Sequence, residues 1–280
     1  MRHETEVMVG LSGILMYGLG GIKQIKKEVY RMKKMKVFLL TIVMVFTLSA
    51  GSVYAENSKV SGSASVGVFS NYVWRGQKLS NSYVIQPSVG ISYKGFGFNI
   101  WSNIDSDYDN TFEHTETDFT VDYAFDIDRL SLDVGYIYYG LEGAQDTQEV
   151  YISAGYDILL NPTLTFYYDF DEGEGGFIVA SIGHSFELPG KMELSLGASA
   201  SYNMNNEVMG YDDSGDEFSN FYNGEVSASL SIPVADMISL EPVIAYTFPL
   251  SNDAKDALNG ISDDGDDDLL YGGLTLTLSF

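Results

Sequence analysis

Cysteine is absent from the 280 residues, which removes disulfides, metal-thiolate sites and thiol nucleophiles in one step. After Leu48 no stretch approaches the ~18 consecutive apolar residues of a transmembrane helix. Basic residues are scarce: 15 Lys and Arg stand against 39 Asp and Glu. That balance argues against DNA, RNA or polybasic lipid anchoring and points to cations as the ions drawn to the surface. Proline is also sparse, whereas Gly and Tyr are abundant and the overall hydropathy is modest. A membrane β-barrel has this composition, because only alternate residues face lipid and the hydropathy averages out. A soluble β-sandwich shares it, so pattern has to decide.

The N-terminal region carries an export signature. Met32-Lys33-Lys34-Met35-Lys36 is a basic n-region, Val37 to Leu48 is an apolar segment too short to span a bilayer comfortably, and Val53-Tyr54-Ala55 is an A-x-A-like cleavage site. The chain divides into residues 1–31 as a non-native or over-extended start, with a membrane-anchored precursor as the alternative, 32–55 as a signal peptide and 56–280 as the mature outer-membrane barrel. Cleavage after Ala55 leaves seven Lys and Arg against 36 Asp and Glu, a net charge of −29. Such acidity can mark disorder, but the regular apolar alternation that follows excludes it for most of the chain.

Period-2 alternation recurs from Val60 onward. Val60, Ala64, Val66, Val68, Tyr72 and Trp74 form one face, and Ser61, Ser63, Ser65, Gly67, Asn71 and Arg75 the other. Tyr83, Ile85, Val89, Ile91 and Tyr93 repeat it, and Lys94-Gly95 then predicts a tight turn. Further strands are expected over residues 96–104, 117–127, 130–138, 148–158, 163–170, 176–186, 192–204, 222–232, 238–248 and 270–280. The fold class is therefore all-β: a single transmembrane, antiparallel, up-and-down β-barrel of about twelve strands.

Every second connection is short, and those between are mostly longer, polar and acidic. With the exported N-terminus in the periplasm, all long loops fall outside the cell. The aromatics are expected in two lipid-facing girdles. Tyr72, Trp74, Tyr83, Tyr136, Tyr138, Tyr222, Tyr246 and Phe248 belong to the outer one, and Tyr93, Phe96, Phe98, Tyr123, Phe125, Tyr156 and Phe280 to the inner. In a soluble sandwich, aromatics would not cluster at two heights. The last strand sets Leu274, Leu276, Leu278 and Phe280 on one face and resembles the assembly signal of outer-membrane barrels. That resemblance implies recognition by the barrel-assembly machinery through strand addition.

Ser70-Asn71-Tyr72-Val73-Trp74-Arg75-Gly76, together with Gly95-Phe96-Gly97-Phe98 and Trp101-Ser102-Asn103-Ile104-Asp105, resembles the opening strands of the TorF-like family of porin-type outer-membrane barrels of proteobacteria. The motif-level match covers about the first quarter of the mature chain. It implies a porin without supplying a substrate.

Inward-facing charges are where pore function is sought. Alternation places Asp118, Asp122, Asp133, Glu149, Asp157, Glu193, Glu225 and Glu241 inward, against few bases such as Arg75 and Lys191. An acidic lumen favours cations. The function expected is passive diffusion of small cationic or neutral solutes, with outer-membrane lipid and lipopolysaccharide as surroundings and no cofactor. The competing expectation is a closed structural or surface-binding barrel, its interior filled by salt bridges and water, whose acidic outer loops bind divalent cations. Asp105, Asp107, Asp109, Glu113 and Glu116 fit the EF-hand spacing for calcium, with Asn110 where glycine is usual and without flanking helices. Residues 211–217 and 262–268 are acidic loops of the same type. An enzyme is not expected. His184 and Ser185 are adjacent and point to opposite faces of a strand, and His114 sits among carboxylates with no evident nucleophile.

Overall fold

The computed structural model describes residues 60–108, 111–262 and 264–280, so the signal peptide and the segment before it lie outside the described residues. The strands are β1 (Ser61–Phe69), β2 (Val73–Trp74), β3 (Gln77–Lys78), β4 (Val84–Tyr93), β5 (Phe96–Tyr108), β6 (Thr111–Ile127) and β7 (Leu130–Leu141). There follow β8 (Thr147–Tyr156), β9 (Thr163–Asp169), β10 (Gly176–Leu188), β11 (Met192–Met204), β12 (Ser219–Ala235), β13 (Ile238–Pro249) and β14 (Leu269–Ser279). Among the described residues an α-helix, α1 (Asn252–Ile261), precedes β14, and a single 3-10 turn spans Glu207–Met209.

Twelve of the strands close into an antiparallel barrel, with β1 hydrogen-bonded to β4 on one side and to β14 on the other. Closure satisfies every strand edge, which an open sheet cannot do. The tight turn at Lys94-Gly95 is present, both residues having positive φ (53° and 86°), as a two-residue hairpin turn requires.

The alternation expected from sequence is realised around the ring. Val66 and Val68 on β1, Val89 and Ile91 on β4, Ile152 on β8, Leu164 and Phe166 on β9, Leu196 on β11 and Leu274, Leu276 and Leu278 on β14 are all exposed. Their neighbours in sequence face the interior, where Asn103, Thr147, Glu149, Asp169, Ser201, Asn203 and Thr247 are buried. Apolar outside and polar inside is the reverse of a soluble domain.

Three expectations need correction. β1 stops at Phe69 and does not run on to Trp74; residues 70–82 leave the wall, and Tyr72 is buried. Tyr222 is fully buried as well, so neither tyrosine belongs to a lipid-facing girdle. The acidic segment 105–116 is no wrapping loop: β5 and β6 continue through it as a hairpin with Tyr108 paired to Thr111. The helix α1 was unforeseen. Ser251 caps it by accepting from the Ala254 amide (3.1 Å), and Ala254, Ala257 and Leu258 bury its apolar face.

Candidate functional site

The site is built by the segment that follows β1. β2 and β3 pair as a small hairpin, Val73 with Lys78 and Trp74 with Gln77, and Arg75-Gly76 form its tip with φ of 51° and 84°. A Cβ on Gly76 would approach Cβ of Asn223 at 2.9 Å, so space and backbone conformation both require glycine. The hairpin base is tied by Leu79 N–H to the Tyr72 carbonyl (2.8 Å) and by Asn71 Nδ2 to the Ser80 carbonyl (3.1 Å).

This hairpin lies inside the barrel. The Tyr72 ring meets Trp101 of β5 at 5.5 Å between centroids, and Trp74 meets Tyr139 of β7 edge-on at 5.7 Å. Gln77 Nε2 donates to the Val208 carbonyl at 2.9 Å and contacts the Tyr222 hydroxyl at 3.3 Å. Phe177, Met209, Phe218, Tyr222, Ala254, Ala257 and Leu258 form a buried apolar cluster, with Trp74 and Tyr167 packed against it. Two acidic loops therefore contribute more than surface charge. The 205–218 connection brings Met209 and Phe218 into this cluster, and the 250–268 connection brings α1 and an Asp264 ion pair to Lys78. The Lys78 ammonium holds the Asp264 carboxyl below the usual aspartate range.

At the centre is Arg75. Its Nη1 and Nη2 donate to Oε1 and Oε2 of Glu149, both at 2.7 Å, and the Tyr139 hydroxyl donates to Oε2 at 2.8 Å. The guanidinium carbon lies 4.5, 4.4 and 4.7 Å from the ring centroids of Trp74, Tyr167 and Phe177. Side-chain exposure is 9% for Arg75 and 1% for Glu149. Strand register explains the assembly. Tyr167 is directly opposite Phe177 across β9 and β10, Glu149 is opposite Asp169 across β8 and β9, and Tyr139 is one diagonal step from Glu149 across β7 and β8. All are odd-numbered, inward positions.

The remaining wall acids are spread through the interior. Asp118 lies opposite Trp101, and Asp122 covers Gly97, whose absent Cβ would sit 2.4 Å from its carboxylate. Asp133 accepts from the Tyr151 hydroxyl at 2.9 Å and Glu225 from the Tyr271 hydroxyl at 2.8 Å. Glu193 and Glu241 stand on the same inward parity, in register with Ser231 and Thr275, and both are exposed. Asp157 is not a wall residue; it follows β8 in the turn before β9 and is exposed. Arg75 is not one either, since it reaches the centre from the inserted hairpin. A cavity of about 280 Å³ remains between hairpin and wall, lined by residues that include Tyr72, Trp74, Trp101 and Asp118. The Oδ1 atoms of Asp118 and Asp133 are buried with no hydrogen-bond partner among the described residues.

The residues of the calcium pattern are distributed along a hairpin. Asp105 is buried and accepts from the Ser82 hydroxyl (2.7 Å) and the Asp107 amide (2.9 Å), while Glu113 is paired across from it. Glu116 is buried nearer the middle of β6, and Asp109 lies outside the described residues. No group of three or more His, Asp or Glu is placed to hold a metal ion among the described residues. His114 Nε2 lies 2.7 Å from the Thr117 hydroxyl and 3.4 Å from that of Ser102, so hydroxyls do stand near it. His184 stacks edge-on against Phe186, whereas Ser185 bonds to Ser195 on the other face. Sequence reasoning missed Tyr139, Tyr167 and Phe177. The signal was aromatic residues at inward positions of otherwise polar faces.

None of the curated proteins matches this chain. A family described as bacterial protein of unknown function (Gcw_chp) matches residues 54–172, a span that includes both segments carrying the TorF-like resemblance. Among solved structures, the NanC porin is similar over 78% of this chain and 98% of its own at 13% identity and a TM-score of 0.47. An outer membrane channel from Pseudomonas putida F1 is similar over 82% and 98% at 10% identity, also with a TM-score of 0.47. The translocator domain of the autotransporter NalP from Neisseria meningitidis is similar over 86% and 95% at 10% identity, with a TM-score of 0.41.

Proposed function

We propose that this protein is an outer-membrane channel of narrow bore for small cationic or neutral solutes, with residues 70–82 folded into its lumen as a constriction. The observation that carries the reading is the polarity of the barrel: a continuous exposed apolar exterior around an acid-rich interior. Such an exterior needs a lipid surround, since an exposed apolar belt of this extent is unstable in water. A closed twelve-stranded β-barrel with short turns at one end matches the outer-membrane architecture, and lipid and lipopolysaccharide are then its neighbours. The inner wall has more carboxylates than bases, an excess that favours cations in the lumen. Planar-bilayer recording of refolded protein tests the reading. Small cation-selective steps are expected, and an anion-selective current would overturn it.

The Arg75 and Glu149 knot favours a second reading, a barrel closed at that level whose outer face binds divalent cations such as calcium. A silent bilayer, together with a saturable calcium titration that is lost in Asp105→Ala, would favour it. Neither reading contains a catalytic step. His114 Nε2 approaches the hydroxyls of Thr117 and Ser102, a contact that neither reading uses.

A further inference from the structure

Glu149, Tyr139, Tyr167 and Phe177 all belong to the wall, on β8, β7, β9 and β10. Only Trp74 of the groups around the Arg75 guanidinium travels with the hairpin. The wall therefore supplies the carboxylate and two of the three aromatic faces that surround this cation. Its geometry is specific. A carboxylate set to receive two parallel N–H donors selects a planar fork, and flanking aromatic faces favour a flat, weakly hydrated cation over an ammonium. Its electrostatics favour an occupant. With Arg75 in place Glu149 is 1% exposed and directly opposite Asp169, itself buried, so removing the guanidinium leaves two neighbouring interior acids without their counter-ion.

We infer that the inner wall carries a guanidinium-binding site formed by Glu149, Tyr139, Tyr167 and Phe177, that Arg75 occupies it as a tethered ligand, and that free guanidinium-bearing solutes are the class it accepts when Arg75 is removed. This goes beyond the channel reading and concerns the wall of the lumen which that reading describes. Its binding step is measured without current, so a silent barrel would remove the channel and leave the site standing. The tether also defines how the hairpin is held: the tip is seated by the same contacts that a free solute would make, so solute and hairpin compete for one place.

The experiment compares Arg75→Ala with Arg75→Ala/Glu149→Gln, both refolded in detergent, using millimolar methylguanidinium chloride as the probe and tetramethylammonium chloride as the control. Millimolar concentrations stay far below those at which guanidinium salts denature. Calorimetry on Arg75→Ala is expected to show saturable binding at one site per barrel. Tetramethylammonium, which has the charge without N–H donors, should bind at least about tenfold more weakly, and the double variant should not bind. Should Arg75→Ala refold poorly, the refolded fraction becomes the readout: methylguanidinium should raise it and tetramethylammonium should not, because a ligand of the folded state shifts the equilibrium by mass action. No saturable binding and no rescue, equal effects of the two cations, or binding that persists in the double variant would each overturn the assignment.

Discussion

Gly62 and Phe280 close the barrel. The Gly62 amide donates to the Phe280 carbonyl at 2.7 Å, the Phe280 amide donates back to the Gly62 carbonyl at 2.9 Å, and the Phe280 ring covers the position where Gly62 lacks a side chain. A Cβ built on Gly62 would lie 2.5 Å from the ring. The last residue of the chain is thus joined to the beginning of β1 by both backbone bonds and an aromatic cover over glycine, a device that pins register at a seam. Leu274, Leu276 and Leu278 continue the row, in register with Val68, Val66 and Ala64.

Deleting Phe280 is expected to reduce assembly into the membrane while leaving export intact, since strand addition by the assembly machinery needs an ordered terminal strand. The fraction of heat-modifiable barrel in membrane extracts measures it, and normal insertion would remove the role. Gly62→Ala is the milder test. It should displace the ring and lower seam stability by about 1 kcal/mol, the scale of a good cross-strand pair.

Glu149→Ala leaves a buried guanidinium without a counter-ion, a change that costs about 3–5 kcal/mol. Arg75→Met combined with Glu149→Leu fills the same space with apolar atoms and should recover most of that loss. Urea unfolding of the refolded barrels measures both. If the double variant were no more stable than Glu149→Ala, desolvated charge would not be the origin of the effect.

Asp122→Asn with Asp133→Asn removes two inward carboxylates while keeping their shapes. Cation preference in a salt gradient should fall, read as a reversal potential closer to zero. An unchanged potential would place the selective charges elsewhere, with Glu193, Glu225 and Glu241 the next to change.

The Lys78 and Asp264 tie joins the inserted hairpin to the outer loop, and it has a defined pH sign. The folded carboxyl titrates below its ordinary value, so its contribution is fully present above about pH 4 and is lost as pH falls through the lower folded value. The two tryptophans, Trp74 and Trp101, both line the hairpin cavity and report on it. Wild type should show an emission shift on acidification that Asp264→Asn already shows in part at pH 7. Superimposable curves at pH 7 would mean that the tie does not hold the hairpin.

The barrel itself was legible in the amino-acid sequence, because a strand that separates lipid from water writes its two faces into alternate residues and its register into turns such as Lys94-Gly95. The same parity puts Asp118, Asp122, Asp133, Glu149, Glu193, Glu225 and Glu241 on the strand faces opposite the exposed apolar rows. Parity fails where the chain leaves the sheet. Tyr72, Trp74 and Arg75 keep the alternation of β1 in sequence, yet a two-residue turn at Arg75-Gly76 folds them into the lumen, where burial against Trp101, Tyr139 and Glu149 outweighs exposure to lipid. The 74-residue separation between Arg75 and Glu149 carries no local signal. Only closure of the barrel brings β7 to β10 across from the inserted hairpin, so the wall was decided by local periodicity and its contents by the tertiary structure.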